Sequence, residues 1–321
     1  MTTEDVLLQA VLADPAAGDT WLVLADWLEE TGQDDRAELL RLQIRLRSEP
    51  NLRARSAPEK RVRALLAAGV KPCVPALVNS VGMRLVLVPP GLFWQGSRSS
   101  PEPRQPDELP RRLVHITRPF FLGATPVTQG QYEVVAGTNP SAFRPAPGTE
   151  DRSRWPVESV SYRDIAEFLA LLSAFKEEKK AGRAYRLATE AEWEYACRGC
   201  VCQSPYSFGP RLRHADASFG RRYGGTPPEV GRYPANLFGL HDMHGTIWEW
   251  VADRYDDGYY SYGPEKDPPG PRRGSRRVLR GGGWSTPADL CRSALRGHNT
   301  VTAREDYNGF RVALTPPERL P

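Results

Sequence analysis

The first fifty residues repeat apolar side chains at helical spacing. Val6, Leu7, Ala10, Val11 and Leu12 recur so that a 3.6-residue turn gathers them on one side. Thr3 is the expected N-cap, and Asp14-Pro15 breaks the run. A second helix is predicted from about Thr20, with Trp21, Leu24, Ala25, Trp27 and Leu28 on one side and Gly32 as its stop. A third begins near Asp35 and carries Leu39, Leu40, Leu42, Ile44 and Leu46. The pattern then weakens. Residues 51–78 are rich in Arg, Ala and Pro, and read as a linker holding a short helix over 56–70. The basic run at 53–55 reads as solvated linker rather than a contact for an acidic partner.

At Asn79 the period changes. MRLVLVPPGLFWQGS (83–97) alternates apolar positions and turns at Pro-Pro-Gly, which predicts a strand and a tight turn. VHITRPFFLGATPVTQGQYEVVAG (114–137) predicts a strand and then a helix capped by Thr128. In PVESVSYRDIAEFLALLSAFKEE (156–178), Ser161 and Asp164 form an approximate capping box, and Ile165, Phe168, Leu169 and Leu172 form the buried stripe. YRLATEAEWEYACRG (185–199) predicts a strand and a helix capped by Thr189 with Glu192. Beyond it the chain is loop-rich, with Trp248, Trp250 and Trp284 as expected core anchors.

Composition adds three constraints. Eight Trp, twelve Tyr and ten Phe among 321 residues favour a packed fold, while 28 Gly and 30 Pro require much turn and loop. The net charge of +4 comes from scattered arginines with acidic neighbours, so no nucleic-acid surface is expected. The five cysteines (73, 197, 200, 202 and 291) are odd in number, which argues against a disulfide framework. The opening MTTEDVLLQAVLADP lacks a basic segment followed by an apolar core, and no stretch is apolar enough to span a bilayer. The expectation is a cytoplasmic protein with reduced thiols.

Several strings together carry a family resemblance. MRLVLVPPGLFWQGS, ATPVTQGQYEVVAGTNPS, PVESVSYRDIAEFLALLS, YRLATEAEWEYACRG, NLFGLHDMHGTIWEWVAD, RVLRGGGWS and NGFRVAL resemble, in order and separation, the motifs of the formylglycine-generating-enzyme (sulfatase-modifying-factor) family. The resemblance implies an α+β, C-type-lectin-like domain, loop-rich, over 79–321. DTWLVLADWLEETGQDDRAELLRLQ resembles the small helical repeat-companion domain of bacterial proteins, which implies a helical docking module over 1–50.

The same resemblance sets the chemical expectations. Enzymes of the family hold copper on two cysteine thiolates, because soft Cu(I) needs soft ligands. In RGGGWSTPADLCRSALR (280–296) the first cysteine position falls at or near Thr286, and Cys291 is the only candidate thiol. Copper and a catalytic residue are therefore not expected. A calcium loop carried over onto GLHDMHGTIWEW would use Asp242, Gly245, Ile247 and Glu249; the competing reading is that Asp242 and Glu249 only bond loop backbone. His115, His214, His241, His244 and His298 do not assemble into a recognisable iron triad. CRGCVC (197–202) reads as an incidental cluster, with one strained disulfide as the alternative. No phosphate-cradling glycine loop and no serine elbow occurs.

The functional expectation is a binding or display module for a protein or peptide partner. Its surface would run from 285 to 307 and include Trp284, Ser285, Thr286, Asp289, His298, Asn299, Arg304, Asp306 and Tyr307. This stretch resembles the variable region of retroelement-diversified lectin-fold proteins. An accessory subunit of a bacterial assembly is compatible with it. The alternative is a metal-dependent oxidoreductase of the formylglycine-generating or sulfoxide-synthase type.

Overall fold

The computed structural model describes residues 2–15, 17–98, 105–144, 151–221 and 225–316. Four helices open the chain: α1 (Thr3–Ala13), α2 (Gly18–Glu30), α3 (Asp34–Ser48) and α4 (Leu52–Ala67). Thr2, not Thr3, caps α1, its hydroxyl accepting from the Asp5 amide while the Asp5 carboxylate accepts from the Thr2 amide. Gly32 closes α2 with φ +74°, a conformation that costs glycine nothing.

The stretch expected to be a linker is largely helical. Asn51 caps α4 by accepting from the amides of Arg53 and Ala54. Pro58 lies inside the helix, where sequence reading takes a proline for a helix start. Its missing N–H leaves one carbonyl without a helical donor, yet the helix persists because Val62 and Leu65 are buried below it. Arg55 is buried too, rather than solvated. It pairs with Glu59 at 2.8 Å and donates to the carbonyls of Leu46, Glu49 and Cys200. The helices are thus tied into the mixed α/β part of the chain. Leu39, Leu46, Val62 and Leu65 share a core with Val86, Val88 and Tyr195.

The mixed part begins with β1 (Ala76–Val78), β2 (Arg84–Val88), β3 (Gly91–Gln95), β4 (Arg112–Ile116) and β5 (Phe120–Gly123). It continues with α5 (Gln129–Ala136), α6 (Tyr162–Ala174), α7 (Lys176–Lys180), β6 (Tyr185–Arg186), α8 (Glu190–Arg198), β7 (Trp248–Arg254), α9 (Tyr259–Tyr262), β8 (Arg276–Arg280), β9 (Gly297–Thr300), β10 (Asn308–Gly309) and β11 (Ala313–Leu314). The first strand therefore starts at Ala76, three residues before the expected boundary; of the expected end, 317–321 lie outside the described residues. The caps expected of Thr128, Ser161 and Thr189 are all present as capping boxes.

A five-stranded sheet has the order β1-β2-β5-β11-β6. β11 lies between β5 and β6, so the late chain returns beside the early strands and closes the domain. A four-stranded sheet has the order β10-β7-β8-β9, with β10 parallel to β7 and β9 at the edge. The Pro-Pro-Gly turn leads straight into β3, which pairs with β4 as a separate ribbon. Among the described residues no helix is long and apolar enough to cross a membrane.

Candidate binding cleft

Helix α8 positions the cleft. Glu190 and Glu194 are four apart and so share one face, and both are fully buried. Glu194 holds Arg198 at 2.8 Å and Arg280 at 2.6 Å; Glu190 holds Arg296 at 2.7 Å and Arg280 at 3.2 Å. Arg280 also donates to the carbonyls of Ser293 and Ala294. Arg292 makes a two-pronged pair with Glu108, whose carboxyl is held below its usual range by Arg292 and Ser97 in spite of burial. These charges are buried yet paired and hydrogen-bonded, which is the condition for tolerating them. Together they bolt residues 291–296 to α8 and to Glu108.

His244 adds a second anchor. Its Nε2 accepts from the Ser207 amide at 3.1 Å, so Nδ1 carries the proton and donates to the Cys291 carbonyl at 2.9 Å. Burial pushes this imidazole down to about 4, so it is neutral at physiological pH.

On this base lies a cleft of about 410 Å3, lined by Trp248, Leu279, the 285–287 turn, Leu290, β9 and Tyr307. Trp248 forms its floor. The indole N–H donates to Thr286 Oγ1 at 3.0 Å, and the same oxygen accepts from the Gly283 amide at 2.9 Å. A Cβ on Gly297 would stand 2.6 Å from the Trp248 ring, so glycine is required there. Burial and Arg276, which donates to its Nδ1 at 3.3 Å, push the His298 imidazole below its usual value. The lining combines apolar side chains (Leu279, Pro287 and Leu290) with the polar side chains of Ser285, Thr286, His298 and Asn299 around an aromatic floor.

Of the residues expected at this surface, Ser285, Thr286, His298, Asn299 and Tyr307 line the cleft. The others do not. Trp284 is buried and meets Phe143 edge-on. Asp289 and Asp306 are exposed beside the cleft. Arg304 is tied to Asp164 at the start of α6, 2.8 Å on each prong. Trp248, expected in the core, is only half-buried, and Gly297 falls within the expected 285–307 stretch without being among the residues singled out in it. The alternation of β7, which sends Trp248 and Trp250 to one side, is the signal that hides the first tryptophan behind the second.

Cys291 lies directly under this turn, fully buried, its thiol directed at the carbonyls of Pro287 and Thr286 at 3.5 and 3.8 Å. Burial pushes the thiol up to about 12, so it is not the thiolate that binds metals. The other four cysteines are buried and free, so CRGCVC holds no disulfide.

The residues of the expected calcium loop are near one another but differently employed. Glu249 Oε1 and Oε2 take two prongs from Arg311, at 2.6 and 2.7 Å, and Oε2 also accepts from the Trp193 indole. The Gly245 carbonyl accepts from the Ile247 amide. Asp242 accepts from the Gly231 amide, and its Oδ1 has no partner among the described residues. Burial raises its carboxyl to about 6. A cation on Glu249 would meet Arg311, so the set does not fit a calcium cage as arranged. Among the described residues no three His, Cys, Asp or Glu side chains are grouped as metal ligands.

Comparison with known proteins agrees with this architecture. Residues 75–316 match the family model described as the sulfatase-modifying factor enzyme 1-like domain. The chain is 30% identical over 248 residues to the serine/threonine-protein kinase pkn1 of Chlamydia caviae, a match covering 71% of this chain and 37% of that one. It is 33% identical over 178 residues to the formylglycine-generating enzyme of Streptomyces coelicolor, covering 50% and 53%. The match thus spans well under two thirds of these relatives' own length. Variable protein 1 of Treponema denticola superposes with a TM-score of 0.63 at 27% identity, covering 77% of this chain and all of that one.

Proposed function

Because the chain belongs to the sulfatase-modifying factor enzyme 1-like family, we propose that it uses the family's fold to bind, its Trp248 cleft receiving a segment of a protein partner without formylglycine chemistry. The observation that carries this reading is the pair formed by Thr286 and Cys291. A hydroxyl stands where the resemblance puts the first thiol, and it is already committed to Trp248 and Gly283. The remaining thiol is buried and protonated. Two close soft ligands are needed for Cu(I), and the 280–296 stretch supplies one thiol. The likeness to a protein described as variable supports a display role for the rim at 285–299.

The test combines chemistry with binding. Incubated in air with copper and a Cys-x-Pro-x-Arg peptide, the wild-type protein is expected to form no aldehyde by mass spectrometry. Thr286→Cys is expected to gain Cu(I) affinity. A partner recovered on immobilised protein should be lost in a Ser285→Arg/Asn299→Arg variant of unchanged melting temperature. Aldehyde formation by the wild type, abolished by Cys291→Ser, would restore the oxidoreductase reading.

Calcium at the Asp242–Glu249 loop would require Arg311 to release Glu249. Titration with Ca2+ is therefore expected to leave the melting temperature unchanged. A rise that disappears in Asp242→Asn would place calcium there after all.

A further inference from the structure

Away from the cleft, a groove of about 600 Å3 runs between α9 and the loop at 269–273. One wall carries Asp256, Tyr259 and Tyr262. Tyr262 is 62% exposed and meets Tyr259 edge-on at 5.4 Å. The other wall is Pro269-Gly270-Pro271 followed by Arg272 and Arg273. Both arginines are exposed, and neither has a hydrogen bond or ion pair among the described residues. Two adjacent guanidiniums without a partner thus share a groove with an exposed tyrosine, giving it a cationic wall open to solvent.

The loop that carries them is braced. The Gly270 amide donates to the Tyr259 hydroxyl at 3.0 Å, and Arg254 donates to the Gly274 carbonyl. Gly270 has φ +80° and packs so closely on Asp253 that a Cβ would lie 2.5 Å from its carboxylate. Little ordering is left for a ligand to impose, which lowers the cost of association. The opposite wall is anionic at one point: the Asp256 carboxylate accepts from the Gly258 amide and the Tyr262 hydroxyl.

We propose that this groove binds an acidic peptide segment of a partner protein, with apolar or proline residues against Tyr262 and carboxylates on Arg272 and Arg273. Tyrosine and arginine are the side chains that most often dominate such contacts, and carboxylates match guanidinium geometry. The charge is asymmetric across the groove. A peptide can place its acids on one side only, whereas a nucleic acid carries a phosphate at every step and would meet Asp256. The groove is separate from the Trp248 cleft and does not depend on it.

The experiment uses the full chain and fluorescence anisotropy with a labelled peptide of alternating glutamate, proline and tyrosine. Its glutamine counterpart and an oligothymidylate of equal length are the comparison probes. The acidic peptide should bind and weaken as salt rises. Arg272→Glu/Arg273→Glu should weaken it by about tenfold or more, and Tyr262→Ala should weaken it with the charges intact. Ser285→Arg/Asn299→Arg should leave it unchanged, which separates this site from the cleft. Equal binding of the glutamine peptide, indifference to the arginine reversal, or binding of the oligothymidylate in place of the peptide would each overturn the proposal.

Discussion

Arg280→Met is expected to cost about 3–5 kcal/mol, because it leaves Glu194 with Arg198 alone and Glu190 with Arg296 alone in the core, each carboxylate losing one of its two arginines. For a domain of this size that is a fall in melting temperature of roughly 6–20 °C. Arg280 is fully buried, as are both carboxylates, and its guanidinium also satisfies the carbonyls of Ser293 and Ala294. Four acceptors lose a donor at once. Arg280→Lys should recover only part of the loss, since an ammonium cannot span the fork. The contrast is Arg304→Ala. Arg304 meets Asp164 with equally good distances, but its side chain is 60% exposed, so water replaces it for about 1 kcal/mol or less. If thermal denaturation gave the two variants similar losses, the cleft would not be held by its buried charges. The predicted partial defect in Arg280→Met is a looser 291–296 segment, readable as faster amide exchange there.

That network also marks where sequence reading stops. The helices α5, α6 and α8 are legible because Thr128, Ser161 and Thr189 each precede a helical stripe, and capping is a local signal. The fold is legible because its motifs fall in order. The segment at 52–67 is legible only in part, since a short helix is expected there but Pro58 and four arginines suggest a solvated linker, while its buried face answers to residues far along the chain. Arg55 bonds to Cys200, 145 positions away. The same limit applies to the cleft. Ser285, Thr286, His298, Asn299 and Tyr307 are legible because they sit in one stretch. Trp248 supplies the floor from a different strand, and only β7, β8 and β9 lying side by side bring it there. Arg304 lies in the right stretch but is taken by Asp164. Glu249 falls at a ligand position of the family's calcium loop, and Arg311, 62 positions later, pairs with it.

Two buried groups, His244 and Asp242, are expected to pull the stability in opposite directions between pH 4 and 6.5. His244 has its folded pKa lowered to about 4 from 6.5, chiefly by burial. In that window the unfolded chain binds the proton and the native state does not. His244 therefore contributes stability that is complete above 6.5 and is lost as pH falls through 4, on the order of 3 kcal/mol. Asp242 is raised to about 6 from 3.8, burial again outweighing the Gly231 amide and Arg311. Here the native state holds the proton longer. Its contribution is complete below 3.8 and is lost as pH rises through 6, also on the order of 3 kcal/mol. The two nearly cancel, so these residues leave little net slope in the wild type. Substitution should uncover each. Asp242→Asn keeps a neutral side chain at every pH and removes the loss on the alkaline side, so its melting temperature should climb more steeply than wild type from pH 4 to 6.5. His244→Gln should give the reverse, a profile that falls relative to wild type over the same range, together with a lower melting temperature throughout from the strained contact with Ser207 and Cys291. Parallel profiles for the three proteins would mean that neither group titrates differently in the folded chain, and that His244 holds the Cys291 turn by hydrogen bonding alone.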